Sequence, residues 1–304
     1  MSSSKDCATK LVPPLKWAGG KRWLLPHVNE IIAKNVLASN LSNDFRLVEP
    51  FSGGLAIALG LNPKRALLAD INRHLINFYQ EVARGLKIEI ELQNDAGVFY
   101  RHRSRFNQLI REGLDRSSEA AQLFYYLNRT CFNGLCRFNS RGEYNVPFGK
   151  YKKINYIPDF YEYQQVFAGW DFCATDFSSL EIKSGDLLYV DPPYDVEFTR
   201  YSEQDFKWED QVRLVEWLKA LNQPMIVSNQ ATERVLELYR SAGFYVSLLS
   251  APRRIACTGD RTPASEMLAV RGLSLEGDSS ELIKPISNKF SDKAADLVTR
   301  SAGA

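Results

Sequence analysis

The sequence predicts an α/β fold in which an open sheet is interrupted by an inserted, mainly helical domain that carries a β-hairpin. Short apolar runs alternate with stretches of helical periodicity at both ends of the chain, which is typical of β-α-β units. This alternation stops at about residue 78 and resumes after residue 156. The interruption indicates an insertion into the α/β fold.

Length and composition narrow the class of protein before any motif is considered. The chain has 304 residues, 45% of them hydrophobic, which suits one large domain with an insertion or two domains. No apolar run approaches a membrane span and the first ten residues lack a signal-peptide core, so we expect a soluble cytoplasmic protein with no membrane partner. Five scattered cysteines without C-x-x-C spacing and three distant histidines predict neither disulfides nor a metal site.

Residues 13–28 combine Trp17, a Gly19-Gly20 pair and Lys21 ahead of an apolar helical run. Paired glycines let the backbone pass close to a ligand, with Trp17 and Lys21 on either side. A capped helix start with a packed tryptophan explains the same residues, and the segment alone leaves both interpretations open.

Residues 46–70 have the layout of one half of a Rossmann-like fold. A strand at 46–50 precedes Gly53-Gly54 and a helix, and a second strand at 66–70 ends in Asp70, where a carboxylate can accept both ribose hydroxyls of a nucleoside. The G-x-G-x-x-G pattern that approaches a pyrophosphate is missing from the sequence. The residues therefore favour an adenosine ligand without phosphates, a requirement that S-adenosylmethionine meets.

Two amphipathic helices are predicted next, one that follows Asp70 and stops at Gly85, and one capped by Ser117 and Ser118, with an arginine-bearing polar region between them. Their apolar faces carry Ile71, Leu75, Phe78 and Val82 in the first helix and Leu123, Phe124 and Leu127 in the second.

A basic segment follows these helices. Residues 128–153 hold six Lys or Arg against one Glu, although the net charge of the chain is only +2. Residues 137–139 and 143–146 are typical of hairpin arms, with Gly142 where a three-residue turn needs positive φ. A basic hairpin can enter the major groove of DNA, and a solvated charged face is the alternative.

The chain after the interruption is organised around residues 187–194, LLYVDPPY. The four apolar or aromatic residues predict a buried strand, and Pro192 and Pro193 end it because they cannot continue a hydrogen-bonded ladder. Asp191 and Tyr194 then place a carboxylate and an aromatic face at the carboxyl end of the strand, where open α/β sheets bind ligands. A surface turn accounts equally well for these four residues taken alone.

The elements after this strand continue the alternation. They are a loop at 195–206, a helix with Trp208, Val212, Val215 and Leu218 on one face, a strand at 225–228, a helix ending at Gly243, strands near 244–249 and 266–270, and a polar tail.

Six sequence blocks together resemble the Dam family of DNA adenine methyltransferases, the N6-adenine-specific D12 class. They are LKWAGGK (15–21), LVEPFSGG (47–54), LADIN (68–72), LNRTCFNGLCRFNSRGEYNVPFGKYKK (127–153), DPPY (191–194) and EMLAV (266–270). The resemblance covers residues 15–272 and implies a Rossmann-like sheet that binds S-adenosylmethionine. The implied domains are a discontinuous catalytic domain (1–77 and 157–272), an inserted DNA target-recognition domain (78–156) and a polar tail (273–304).

The resemblance implies roles at the catalytic centre. Cofactor-binding roles fall on Trp17, Lys21, Gly53, Gly54, Asp70 and Asp191. Catalytic roles fall on Asp191, Pro192, Pro193 and Tyr194. Gly53 and Gly54 would leave room for the methionine portion, Asp70 would hold the ribose, and Asp191 would lie between cofactor and target base.

The resemblance also implies double-stranded DNA as the partner, with no metal and no obligatory protein partner. DNA-binding roles fall on Lys16, Phe132, Asn133, Leu135, Arg137, Pro147 and Tyr151. Arg137 takes the orienting contact to guanine, and Phe132 and Asn133 fall where family members push side chains into the duplex as the base flips out. Members with this central block typically methylate adenine in GATC, which is the sequence we expect.

Three features depart from the family pattern. Phe132 replaces a common tyrosine, Lys150 replaces a frequent arginine, and the loop after Tyr194 is short. The rival classes are a nucleotide-dependent dehydrogenase, a non-catalytic DNA-binding protein, and an amino methyltransferase that acts on another DNA sequence or on RNA. The missing G-x-G-x-x-G disfavours the first class, and the intact cofactor-binding residues disfavour the second.

Overall fold

The computed structural model describes residues 11–194, 206–251 and 264–274. Within these ranges the strands are β1 (Arg46–Glu49), β2 (Arg65–Asp70), β3 (Trp170–Ala174), β4 (Asp186–Val190), β5 (Met225–Gln230), β6 (Tyr245–Ala251) and β7 (Ala264–Arg271). The α-helices are α1 (Leu25–Leu37), α2 (Ala56–Leu61), α3 (Arg73–Ala83), α4 (Ala96–Arg111), α5 (Ser118–Thr130), α6 (Tyr161–Phe167), α7 (Trp208–Ala220) and α8 (Glu233–Ser241). Residues 195–205 of the predicted loop after Tyr194 and the predicted tail beyond residue 274 lie outside the described residues.

The strands of the described chain form one mixed sheet in the order β3-β2-β1-β4-β5-β7-β6. The first five in this order are parallel, whereas β7 runs antiparallel to both β5 and β6. All five residues of β4 are buried, as expected of a central parallel strand that is covered on both faces. The predicted α/β class is confirmed, and the carboxyl ends of β1, β2 and β4 meet at one edge.

The chain between β2 and β3 contains helices α3 to α6 and, among its described residues, none of the sheet strands. The Ser117 side chain caps α5 by accepting from the backbone N–H of Ala120, as predicted. Phe138 and Tyr144 form an antiparallel bridge, and Gly142 has φ 73° at the turn. The predicted hairpin is thus present, although as one isolated bridge rather than as two regular strands.

The domain boundaries at 78 and 156 stay predictions. Helix α3 spans residue 78, so that boundary falls inside a helix. The arginine-bearing polar region is also helical, because it belongs to α4, whose amino end is capped by Asp95.

Two predicted apolar helix faces differ in detail from the structure. Ile71 precedes α3 and is 72% exposed, because the Asn72 side chain caps the helix one residue later. In α7 the buried face includes Gln211 and Leu214, whereas Val212 is only half-buried. Within the described residues, no helix is both long enough and apolar enough to cross a membrane.

Candidate active site

The edge of the sheet where β1, β2 and β4 end carries three carboxyl groups, those of Glu49, Asp70 and Asp191. They border a cavity of about 710 Å³. All residues predicted for cofactor binding and catalysis line it: Trp17, Lys21, Gly53, Gly54, Asp70, Asp191, Pro192, Pro193 and Tyr194. Residues from four separate sequence blocks therefore meet in one concave site.

Lys21 is the buried cation of this site. Its Nζ atom lies 2.9 Å from Asp191 Oδ1 and 3.3 Å from Glu266 Oε1, and it donates a 2.6 Å hydrogen bond to the hydroxyl of Tyr194. That hydroxyl in turn donates to the Glu266 carboxylate at 2.7 Å. Burial lowers the pKa of Lys21, but the carboxylates of Asp191 and Glu266 outweigh burial and raise it. Lys21 therefore stays charged at neutral pH.

The Asp191 carboxylate is held on one oxygen. Burial raises its pKa, and the Lys21 ammonium and a hydrogen bond from Ser228 oppose the rise. Ser228 Oγ lies 3.0 Å from Asp191 Oδ1 and 2.7 Å from the hydroxyl of Tyr189. Among the described residues these contacts fall on Oδ1, which leaves Oδ2 for a donor from a ligand.

Glu49 contributes a second buried carboxyl group. Its side chain is 2% exposed, and Oε1 has no hydrogen-bond partner among the described residues. Burial, together with the nearby Asp191, raises the pKa of Glu49 well above its usual range. A buried polar atom without a partner is costly, so this oxygen is suited to a ligand that donates to it or carries positive charge.

A buried amide relay fixes the loop after β4. Gln211 Nε2 donates to the carbonyl oxygen of Pro193 at 2.8 Å, and Gln211 Oε1 accepts from Asn229 Nδ2 at 3.1 Å. The side chains of Gln211 and Asn229 are fully buried. The relay thus fixes the Pro193 carbonyl, one residue beyond Pro192.

Trp17 and the glycine turn form a close contact. A Cβ atom on Gly53 would lie 2.7 Å from Trp17 Nε1, and one on Gly54 would lie 2.8 Å from Trp17 Cβ, so side chains are excluded at both positions. Gly53 has φ 43°, and its N–H donates to Asp70 Oδ2 at 3.1 Å. Burial raises the pKa of Asp70 to about 6, although the N–H groups of Asn72 and Gly53 oppose the rise.

Another part of the cavity wall is formed by Asp176, Phe177 and Arg213. The Arg213 guanidinium pairs with both oxygens of Asp176, at 2.7 and 3.0 Å, and lies 4.2 Å from the centre of the Phe177 ring. The hydrogen bonds from Arg213 lower the pKa of Asp176. This part of the wall therefore combines an apolar ring with a partly exposed ion pair.

A profile of the family described as D12 class N6 adenine-specific DNA methyltransferase matches residues 17–250, more than two thirds of the chain. The chain belongs to this family. It is therefore an adenine-specific DNA methyltransferase, and membership implies that S-adenosylmethionine is the methyl donor and DNA the substrate.

Relatives of this methyltransferase share about a third of its residues. The retron Ec67 DNA adenine methylase of Escherichia coli is 34% identical over 275 residues, 85% of this chain and 90% of the relative. The DNA adenine methylase of Escherichia coli strain K12 is 33% identical over 277 residues, 84% of this chain and 94% of the relative. The DNA N-6-adenine-methyltransferase of Escherichia phage P1 is 34% identical over 277 residues, and this chain spans only 35% of its length.

The residues predicted to bind DNA lie outside the cavity of the methyltransferase. A turn over residues 132–134 is held by a hydrogen bond from the N–H of Phe132 to the carbonyl of Pro147, at 2.9 Å. The side chains of Phe132 and Leu135 are 48% and 41% exposed, and Asn133 and Pro147 are also exposed. An exposed aromatic ring on a braced turn is available to a partner.

Lys16 and Tyr151 lie beside this turn, and Arg137 follows it on the hairpin. Lys16 Nζ lies 3.4 Å from the centre of the Tyr151 ring, and Gly134 packs against the Lys16 side chain. Arg137 Nε donates to Asn145 Oδ1 at 2.8 Å, which holds the side chain on the hairpin. Among the described residues its two terminal NH₂ groups have no hydrogen-bond partner.

Several side chains of the methyltransferase site carried no predicted role. They are Glu49, Asp176, Phe177, Tyr189, Gln211, Arg213, Ser228, Asn229 and Glu266. Two had a usable signal, because Glu49 ends the LVEP strand and Glu266 begins the EMLAV block. The others became visible only through their contacts.

Proposed function

We propose that this enzyme transfers a methyl group from S-adenosylmethionine to N6 of adenine in GATC of double-stranded DNA, after the adenine has left the helix. The observation that carries the proposal is the position of Asp191. Asp191 follows the last residue of β4 at the cavity wall, its carboxylate is held by Lys21 at 2.9 Å, and among the described residues one oxygen stays available for a substrate.

The cavity residues fit S-adenosylmethionine. Asp70 uses its oxygens for the N–H groups of Asn72 and Gly53, and the remaining lone pairs can accept ribose hydroxyls. The Glu49 oxygen that has no partner in the described part of the chain suits the positive charge of the ligand. Trp17, Lys21, Gly53, Gly54, Asp70 and Asp191 would hold the cofactor, which supplies an electrophilic methyl group when bound.

The chemical task of the protein is to localise the lone pair of adenine N6, which is delocalised into the ring. Asp191 can accept one N–H through its carboxylate, and Pro192 can accept the other through its backbone carbonyl. These two acceptors favour a tetrahedral nitrogen aimed at the methyl carbon, so positioning supplies most of the rate enhancement. Asp191 accepts a proton that becomes acidic once N6 carries the methyl group.

Tyr194 is proposed to stack on the flipped adenine. Its hydroxyl is anchored by Lys21 and Glu266, so one end of the ring is fixed. Pro193 extends the same loop, and its carbonyl is held by Gln211. These contacts support a preorganised wall for the base.

Adenine N6 is not accessible to the cavity while the base is paired in a duplex. Flipping the base costs a few kcal/mol of stacking and pairing. The exposed ring of Phe132 and the amide of Asn133, on the turn braced by Pro147, can fill the gap and offset this cost.

Sequence reading is proposed for the hairpin and its surroundings. Arg137 presents two terminal NH₂ groups, the donors that a bidentate contact to guanine O6 and N7 requires. Leu135 and Pro147 would contact neighbouring bases, Tyr151 would contact the edge of the site, and Lys16 would also reach the DNA. The identities of about a third to relatives named DNA adenine methylase support the family activity, and GATC is our inference for this chain.

The test is transfer of labelled methyl to two duplexes that differ only in whether GATC is present or scrambled. We expect N6-methyladenine on the GATC duplex alone, and its loss in Asp191→Ala. Equal labelling of both duplexes would contradict the GATC assignment and keep the chemistry. Labelling of neither duplex by wild-type enzyme that still binds S-adenosylhomocysteine would contradict the proposed substrate.

A further inference from the structure

Lys16 and Trp17 are consecutive residues that face two different sites. The Trp17 side chain packs on Gly53 and Gly54 at the cofactor cavity. The Lys16 side chain lies over Tyr151 next to the turn proposed to enter DNA. Any displacement of this short segment moves both side chains together.

The Asn128 amide holds the backbone of this segment from both sides. The N–H of Lys16 donates to Asn128 Oδ1 at 2.8 Å, and Asn128 Nδ2 donates to the carbonyl of Lys16 at 2.8 Å. Asn128 is 2% exposed and lies on α5, more than 100 residues further along the chain. A buried amide that satisfies both polar groups of one residue fixes its position and orientation.

Further contacts of Lys16 come from the same region. Lys16 Nζ donates to the carbonyl of Arg129 at 2.8 Å, and a Cβ atom on Gly134 would lie 2.4 Å from Lys16 Cβ. Lys16 is therefore positioned by residues of the proposed recognition domain, although it precedes the first strand of the sheet. Trp17 contacts the glycine turn after β1.

We infer that Asn128 is a positioning residue that couples the cofactor site to the DNA site through Lys16 and Trp17. The inference rests on the proposed function. A ligand in the cavity restrains Trp17 and, through the peptide bond, Lys16, and the two hydrogen bonds between Lys16 and Asn128 carry this restraint to α5 and the turn at 132–134 that follows it. Because coupling is reciprocal, DNA must tighten cofactor binding by the same factor.

The experiment measures the Kd of a GATC duplex with and without saturating S-adenosylhomocysteine, using the full chain. We expect the unreactive product to tighten duplex binding by about fivefold or more in the wild type. In Asn128→Ala the ratio of the two Kd values should fall close to one. Reduced stability alone cannot bring the ratio to one, because saturating S-adenosylhomocysteine raises the folded fraction of a destabilised variant and so makes the apparent tightening larger.

Asn107→Ala is the matched control. Asn107 makes the same two-way amide contact with the backbone of Tyr144, donating at 3.0 Å and accepting at 2.8 Å, but it holds the hairpin rather than the Lys16 segment. This variant should weaken duplex binding and keep the wild-type ratio. The added Cβ atom of Gly134→Ala would press on Lys16 Cβ while leaving Asn128 intact, so the ratio of the two Kd values should also fall close to one in this variant.

Three outcomes overturn the inference. The first is a ratio of one in the wild type, and the second is a wild-type ratio retained in Asn128→Ala. The third is a ratio of the two Kd values that falls close to one in the control Asn107→Ala as well. Failure of the wild-type chain to bind either ligand contradicts the proposed function itself, and it is recognised without any variant.

Discussion

Lys21 Nζ lies 2.9 Å from Asp191 Oδ1, in a pair where the lysine is almost fully buried and the aspartate carboxyl ends a central strand. The two residues are 170 positions apart in the sequence. Burial raises the pKa of the Asp191 carboxyl group, and the Lys21 ammonium opposes this rise. Lys21 therefore favours the ionised form of the group that we propose to orient adenine N6.

Replacing Lys21 with methionine should shift the pH profile of the enzyme. Burial raises the pKa of Asp191 and Lys21 opposes the rise, so removing Lys21 raises that pKa further. The acidic limb of kcat/KM against pH should move to higher pH in Lys21→Met. In Lys21→Arg, which keeps a cation at this position, the limb should stay close to its wild-type position. An acidic limb that stays in place in Lys21→Met would show that Asp191 is not the titrating group.

Asp70→Asn should weaken cofactor binding most strongly above pH 6. The carboxyl group has a pKa of about 6, and ribose hydroxyls donate to its ionised form, so affinity should fall as the pH decreases through this value. Hydrogen bonds to charged groups contribute about 1.5–3 kcal/mol, which is roughly a tenfold to hundredfold change in Kd. Calorimetric titration with S-adenosylhomocysteine at pH 5 and pH 8 measures this Kd. A Kd that depends on pH equally in Asp70→Asn and in the wild type would contradict the role of Asp70 in holding the ribose.

Arg137→Ala and Lys152→Ala should separate sequence reading from general DNA affinity. Losing the Arg137 guanidinium should remove about 1–3 kcal/mol of discrimination between GATC and scrambled duplexes. Losing the exposed Lys152 should weaken binding to both and reduce the slope of log Kd against log salt by about 1. Competition titrations at several salt concentrations test both, and wild-type sequence preference in Arg137→Ala would refute the assignment.

Gln211→Leu should lower kcat while leaving the Kd for S-adenosylhomocysteine nearly unchanged. The variant breaks the relay that fixes the Pro193 carbonyl and leaves Asn229 without its acceptor. Stranded buried groups cost about 1–3 kcal/mol in the free energy of unfolding, which urea denaturation measures. Gln108→Leu is the control, since that glutamine is exposed and bonds only Glu112 among the described residues. A wild-type kcat in Gln211→Leu would exclude a role of Gln211 in positioning the loop after β4.

The sequence predicted the parts of the site that depend on local patterns. Buried apolar runs located β1, β2 and β4, and the acids and prolines at their ends located Asp70 and Asp191. Parallel strands bring their carboxyl ends to one edge, so convergence of these residues follows from the fold class. The hairpin turn followed from Gly142, whose φ is positive as predicted.

Residues that depend on long-range register could not be predicted in the same way. Glu266 stands near the amino end of a strand, and it reaches the site only because β7 is antiparallel to β5. Gln211 lies on the apolar face of α7, where a helical pattern predicts packing, and its burial depends on partners from two other segments. Neither fact is encoded in the spacing of neighbouring residues.

The position of β7 bears on how the enzyme is made on the ribosome. β6 precedes β7 in the chain but joins the sheet only through it, and Glu266, which anchors Tyr194, arrives on this later strand. A nascent chain that has emerged only as far as β6 therefore has a cofactor wall of parallel strands but an unfinished catalytic centre. We therefore expect chains that end before β7 to lack methyltransferase activity, because Tyr194 and Lys21 are without the Glu266 carboxylate.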